Sequence, residues 1–355
     1  MLGPEALLPL ERVVSAMAAV RRARLLDGAG TVLVEEGRRV EPGTVVAAEE
    51  QSQVHVLDAA RLLGVAPGRV ADLLLVPVGE TVAEGQPLAR KSGLFSRTIV
   101  SPVDGMVTLV DGRGRLLLRG HTERRELRAL MHGQVVGVVP ERGVEIEAHG
   151  ALVQGAWGNG QESAGLIRLM VSHAGESVAV ERINVGMQGS ILIAGATLDE
   201  AALANAHDAE VRGLVAASME ARLVPLAQQL PFPILLTEGF GQYPFCPPVF
   251  EVLQRLNNRE ATLNACFEPG SRTRPELFVP LQGQGAPVAS PGPLSSGDRV
   301  RLLAEPYLGQ IGTVEAGEST LHALPSGLLA TACTVRLDSG ATLSIPFTNL
   351  ERLIS

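Results

Sequence analysis

Groups able to do chemistry are sparse along this chain and far apart. One lysine, Lys91, stands among 29 arginines. Lysine can deprotonate or be acylated where arginine cannot, so any Schiff-base, lipoyl-lysine or biotinyl-lysine chemistry would have to use Lys91. Cys246, Cys266 and Cys333 show no CxxC spacing. Cys246 and Cys266 are flanked by apolar residues or proline, which points to buried structural thiols rather than a nucleophile or metal pair. A Cys246–His207 pair at a sheet edge would be the one nucleophile–base combination. His55, His121, His132, His149, His173, His207 and His322 are scattered, without HxxxH or HExxH spacing. No GxSxG elbow, no GxGxxG turn after a strand and no GxxxxGK[ST] loop occurs. The chain is therefore expected not to be an enzyme, and no catalytic residue, cofactor or metal ligand is assigned.

What remains is contact chemistry. The most unusual loop runs Thr237-Glu-Gly-Phe-Gly-Gln-Tyr-Pro-Phe245, with three of the eleven aromatics, two glycines and a carboxylate. The elements that position it alternate strand and helix. Ser190–Ala194, Gly213–Ala217, Pro233–Thr237 and Ala261–Ala265 suit strands. Helices are expected at 199–207 with Asp199 as N-cap, at 219–230 capped by Ser218, and at 249–257. That order implies a small, mostly parallel sheet, in which ligands sit beyond the carboxyl ends of the strands. The candidate ligand or partner contacts there are Thr197, Ser218, Glu238, Gly239, Phe240, Gly241 and Tyr243. Trp157, between glycines, is expected to be a core plug.

The first 110 residues hold an internal repeat. VEEGRRVEPGTVVA at 34–47 matches VPVGETVAEGQPLA at 76–89: Gly37, Val40, Gly43, Val46 and Ala47 precede Gly79, Val82, Gly85, Leu88 and Ala89 by 42 residues. Each copy spells strand, glycine turn, inward valine, glycine turn, strand. After the second copy comes SPVDGMV at 101–107. GETVAEGQPLA followed by SPVDGMV resembles the barrel-sandwich hybrid fold of lipoyl and biotinyl carrier domains, membrane-fusion adaptors and domains of ion-translocating NADH–quinone oxidoreductases. The resemblance covers about 73–120, and 31–155 if the first copy contributes. It implies a hairpin whose tip carries the acylated lysine in carriers. Here the tip is Gly93-Leu94-Phe95-Ser96 and Lys91 falls short of it, so acylation is not expected and Leu94 and Phe95 become candidate partner contacts. Between the copies, 54–65 faintly resembles the opening of a helix-turn-helix, but no polar recognition helix follows, so a short bridging helix at 57–63 is expected.

Residues 282–297 are rich in glycine, proline and serine and suit a flexible linker. Then GDRVRLLAEPYLGQIGTVE at 297–315, with a later Ser339-Gly340 hairpin, resembles a KOW motif in a five-stranded SH3-like barrel. That family binds RNA or protein. Residues 297–355 carry four arginines against six carboxylates, so protein docking is the better expectation, with Tyr307 as a candidate contact.

Composition agrees. The chain has 355 residues, 46% of them hydrophobic, a mean hydropathy of +0.20 and a net charge of −8. Such a chain has material for real cores and is not disordered. Its acidity argues against general nucleic-acid binding. No apolar run spans a membrane and no signal peptide is evident, so a cytoplasmic home is expected. The expected fold class is multidomain, mainly β plus α/β: a helical segment at 1–30, a duplicated barrel-sandwich-like β region at 31–175, an α/β domain at 176–281, a linker at 282–296 and a KOW/SH3-like barrel at 297–355. The expected function is a non-enzymatic scaffold or adaptor binding protein partners, with homo-oligomerisation open. A KOW-mediated RNA-binding, transcription- or translation-associated factor, and a ligand sensor at the α/β sheet edge, are the alternatives.

Overall fold

The computed structural model describes residues 9–93, 96–267, 273–288, 292–323, 327 and 329–355. Strands hold 48% of the chain and helices 14%, so the expectation of a mainly β protein with mixed sheets holds. Of the helical segment expected at 1–30, residues 1–8 lie outside the described residues, and the remainder is not helical. Leu10–Leu25 is one long strand, β1. Its apolar run suits either period, and pairing decides the matter: Val14–Leu25 runs antiparallel to residues 143–153, burying Val13, Val14, Ala18 and Val20.

The repeat is built into the backbone hydrogen bonds. Leu33 N donates to Val46 O (2.9 Å), and 42 residues later Leu75 N donates to Leu88 O (2.8 Å). Gly37 N reaches Val135 O (2.8 Å) as Gly79 N reaches Val107 O (2.7 Å). Glu41 N is met by Thr44 Oγ1 (3.0 Å), and Ala83 N by Gln86 Oε1 (3.0 Å). One copy sits inside the other. A two-stranded ribbon leaves the outer copy, β2 (Val45–Leu57) against the later strand Leu116–Arg128, with Val45 opposite Arg128 and Leu57 opposite Leu116. Beyond the ribbon lie the helix α1 (Ala59–Leu63), β3 (Pro87–Lys91), β4 (Arg97–Val100) and β5 (Gly105–Val110), which form the inner copy. The return strand is β6 (Leu116–Arg128), followed by β7 (Gly133–Val139) and β8 (Gly143–Gln154).

The second halves repeat too, at a spacing of 28. Met106 opposite Arg119 and Val107 opposite Leu118 recur as Gln134 opposite Glu147 and Val135 opposite Ile146. The same irregularity follows in each, between Val107 and Leu109 and between Val135 and Gly137. Gly105 and Gly133 are equivalent, and a Cβ on either would collide with a backbone carbonyl oxygen, that of Arg119 or Glu147. Each copy has its own core: Val46, Val135 and Ile146 in the outer, Leu88, Val107 and Leu118 in the inner.

Next comes the parallel sheet. β9 (Glu162–Leu169), β10 (Ser190–Leu198), β11 (Gly213–Met219) and β12 (Ile234–Phe240) are parallel neighbours in that order. β9 lies on the far side of the expected boundary at 175/176. The helix α2 (Glu200–Asp208) begins as expected, with Asp199 Oδ1 accepting from Ala202 N at 2.7 Å. The expected helix at 219–230 is replaced. Met219 ends the strand, Glu220 is extended, and only a 3₁₀ turn at Ala221–Leu223 and one helical turn at Val224–Ala227 follow. Pro225, which lacks an N–H, suits only a first turn. The helix α3 (Pro247–Arg255) comes next. The expected fourth strand is β13 (Glu260–Asn264), which runs antiparallel to β9, and β14 (Glu276–Pro280) joins it to β8, so the sheet continues into the outer copy.

The C-terminal module comprises β15 (Arg299–Leu302), β16 (Ile311–Ala323), β17 (Leu329–Leu337), β18 (Thr342–Pro346) and β19 (Leu350–Ile354). They form an antiparallel array ordered β18-β17-β16-β15-β19 over a core of Val300, Val314, Val335, Phe347 and Leu350. β19 also pairs in parallel with Leu10–Val13 of β1. The expected flexible linker is partly strapped down: Ala286 and Pro287 pair with Ala18 and Ala19, and Gly285 N donates to His149 Nδ1 at 3.2 Å. Composition pointed to freedom because this segment has few apolar anchors; its backbone supplies the hold instead. Among the described residues, no helix is long and apolar enough to cross a membrane.

Candidate partner-binding face

Most sequence-predicted contacts at the sheet end do meet. Ser218 is fully buried; its Oγ lies 2.9 Å from Ala196 O, to which it donates, and accepts from Tyr243 N at 2.9 Å. Thr197 Oγ1 is 3.5 Å away. Ser218 is therefore not a helix cap; it pins the 237–245 loop over the strand ends. Gly241, at φ +134°, lies under the Tyr243 ring. Phe240 is 40% exposed and leans on Trp157, ring centroids 5.5 Å apart, while Trp157 itself is buried as expected. Tyr307 packs half-buried on the C-terminal core. Leu94 and Phe95 lie outside the described residues.

Glu238 turns inward. Its side chain is 1% exposed and meets Arg301 at 2.6 Å and Arg12 at 3.4 Å. Glu351 meets Arg12 at 2.9 Å, Arg274 at 3.0 Å and Arg301 at 3.5 Å. Burial opposes the charge of Glu351, but the three arginines outweigh it and hold its carboxyl below the usual range. Burial likewise opposes the charge of Arg12, and Glu351 and Glu238 more than restore it. Beside them, burial and Glu238 push the Cys246 thiol up to about 12, so it holds its proton at neutral pH. Cys246 packs on the sheet face opposite to that of α2, which carries His207, so the two make no nucleophile–base pair. Lys91 caps a helix: Nζ donates to Gly64 O at 3.1 Å, as Arg97 does to Leu62 O at 3.3 Å, at the carbonyl end of α1.

A different surface stands out. In antiparallel sheets, directly opposed residues share a face. Val56 opposes Leu117, which opposes Leu109; Val54 opposes Arg119, which opposes Met106. These two rows cross three strands of the inner copy. Val54 is 59% exposed, Val56 50% and Leu109 40%, with Leu117 and Met106 half-buried. The other face of the same strands holds Leu116, Leu118 and Val107 in the core. In the outer copy the positions of Met106, Leu109, Leu117 and Arg119 are taken by Gln134, Gly137, Glu145 and Glu147, with Arg21 of β1 3.2 Å from Glu147. One framework thus carries a polar face in one copy and, in the other, an apolar one broken only by Arg119. Covering a half-exposed valine or leucine contributes on the order of 1 kcal/mol. Residues 58–119, which carry part of this face, hold eight basic and six acidic side chains in a chain of net −8.

This face has almost no signal in the sequence. Val54-His-Val56 alternates, but Leu109 and Leu117 join it only through strand register. No group of three or more histidine, cysteine, aspartate or glutamate side chains is arranged to hold a metal among the described residues. The sequence matches no protein-family model, and no curated protein matches it.

Proposed function

We propose that the chain is a non-enzymatic scaffold or adaptor of the cytoplasm that binds protein partners, and that the inner copy is its docking head. One observation carries this reading: Met106, Leu109 and Leu117, in the rows of Val54 and Val56, stand where the outer copy has Gln134, Gly137 and Glu145. A framework that tolerates polar residues at these positions does not need apolar ones for folding, and exposed apolar patches mark interaction sites. Both copies are proposed to be barrel-sandwich hybrid units, on the strength of their repeated glycine-valine hydrogen-bond pattern. The C-terminal module is proposed to be an SH3-like, KOW-type barrel, supported by its five-strand order and the 3₁₀ turn before its last strand. None of the three cysteines forms a disulfide, which suits a reducing compartment.

The test compares native pull-downs of wild type and the Val54→Glu/Val56→Glu double variant from the source cell, with and without nuclease. Partners captured by wild type, insensitive to nuclease and lost with the variant, support the docking head. Partners retained by the variant would overturn it. Partners lost on nuclease treatment would replace it with an RNA-associated role.

A further inference from the structure

The buried charges are drawn from four separate segments. Arg12 belongs to β1, Glu238 to the end of the parallel strand β12, Arg274 precedes β14, and Arg301 and Glu351 belong to the C-terminal module. The side chains of Arg12, Glu238, Arg301 and Glu351 are each no more than 3% exposed. Three arginines face two carboxylates, and each carboxylate serves more than one arginine. Among the described residues, Nε of Arg12 and Nε of Arg301 are buried without a hydrogen-bond partner, so charge attraction rather than a completed hydrogen-bond set holds the cluster.

Few apolar contacts share the task. The C-terminal module has its own core, and of its apolar side chains among the described residues Ile311 and Leu353 join the core of the parallel sheet while Ile354 packs on the outer copy. The backbone seam is short: Leu10–Val13 pairs with Glu351–Ile354. Arg352 adds a 3.6 Å contact to Glu11.

We propose that the Arg12–Glu238–Arg274–Arg301–Glu351 cluster is a latch that closes the C-terminal module over the first residues of β1. Losing one carboxylate releases the module as a unit and bares the β1 edge at 10–13, while the parallel sheet keeps its fold. A buried charge left without its partner disfavours the closed state, whereas removing both members of a pair leaves the balance intact. Without Glu238 three arginines share one carboxylate. Without both Glu238 and Arg301, two arginines share one carboxylate, and the native surplus of one positive charge is kept. The latch stands whether or not the docking head binds a partner.

Hydrogen exchange read by mass spectrometry on the full chain tests this. In Glu238→Gln, exchange at 10–13 and 351–354 is expected to rise ~10-fold or more, with 213–219 unchanged. In Glu238→Met/Arg301→Met it is expected to stay close to wild type. Unchanged exchange in Glu238→Gln, an equal rise throughout the chain, or equal opening in the double variant would each overturn the latch. Should Glu238→Gln not fold, wild type in rising urea decides: the seam at 10–13 and 351–354 must open before 213–219, and simultaneous opening defeats the proposal.

Discussion

The outer and inner copies share one hydrogen-bond frame and differ in what surrounds it. The outer copy is flanked: β1 runs along β8, and β14 joins it to the parallel sheet. The inner copy hangs at the end of the β2–β6 ribbon and, among the described residues, is flanked by no further sheet. The flanked copy has a polar, ion-paired face at Glu145 and Glu147; the suspended copy has an apolar one at Leu109 and Leu117. A repeated frame demands the same glycines and inward valines in each copy. It leaves outer positions free to follow their use.

The comparison can be broken most forcefully at the shared glycines. Gly133→Ala and Gly105→Ala each drive a Cβ into a backbone carbonyl oxygen, at a cost on the order of 3 kcal/mol. The locations of the damage should differ. Gly133→Ala is expected to lower the urea midpoint of the whole fold, read by Trp157 fluorescence. Gly105→Ala is expected to loosen only 73–119, read by hydrogen exchange, with the Trp157 transition unmoved. Equal Trp157 shifts in the two variants would mean that the inner copy is not an independent unit.

Core truncation gives the next effect. Leu118 and Ile146 are equivalent and fully buried. Leu118→Ala and Ile146→Ala should each cost about 2–5 kcal/mol, again confined to the inner copy for Leu118 and global for Ile146. On the outer face the expectation reverses. Val54→Glu/Val56→Glu should shift stability by no more than about 0.5 kcal/mol per site while abolishing partner capture. A stability loss as large as the core variants would make these residues structural.

The smallest difference lies in the turns. Asp111 accepts from Arg113 N at 2.9 Å and Arg115 N at 2.9 Å; its outer counterpart is Val139, which has no carboxylate. The backbone N–H of Arg115, then its side chain, hold the Asp111 carboxyl below its ordinary value. A lowered folded pKa contributes stability above the unfolded value, which is lost as pH falls through the folded one. The protection of the 113 and 115 amides, relative to their intrinsic exchange at each pH, should therefore fall below about pH 4, with no matching change at 141–143. Asp111→Asn should remove the pH dependence.

Much of this was legible locally. The half-repeats at 34–47 and 76–89 announce themselves through glycine and valine, because turn geometry and one inward side chain are demands of neighbouring residues. The strands at 190, 213 and 234 and the Asp199 cap are likewise local matters of apolar runs and an N-terminal oxygen. The 28-residue repeat of the second halves was harder to see. Only Gly105, Val107 and Val110 against Gly133, Val135 and Val138 carry it, since strand pairing repeats through the backbone with little demand on side chains.

Other features had no local signal. β1 could have been a helix by its apolar period, and it is a strand because β8, more than a hundred residues later, offers an edge. Glu238, in a glycine- and aromatic-rich loop, suggested an open contact; it is buried because Arg12 and Arg301 converge on it from opposite ends of the chain. The apolar face exists only once register aligns Val56, Leu117 and Leu109 across three strands. The sequence by itself determined turns, caps and short apolar runs, whose energetics involve residues within a few positions. Tertiary structure decided pairing partners, buried charges and exposed faces, because each depends on which distant segment removes water from a given side chain.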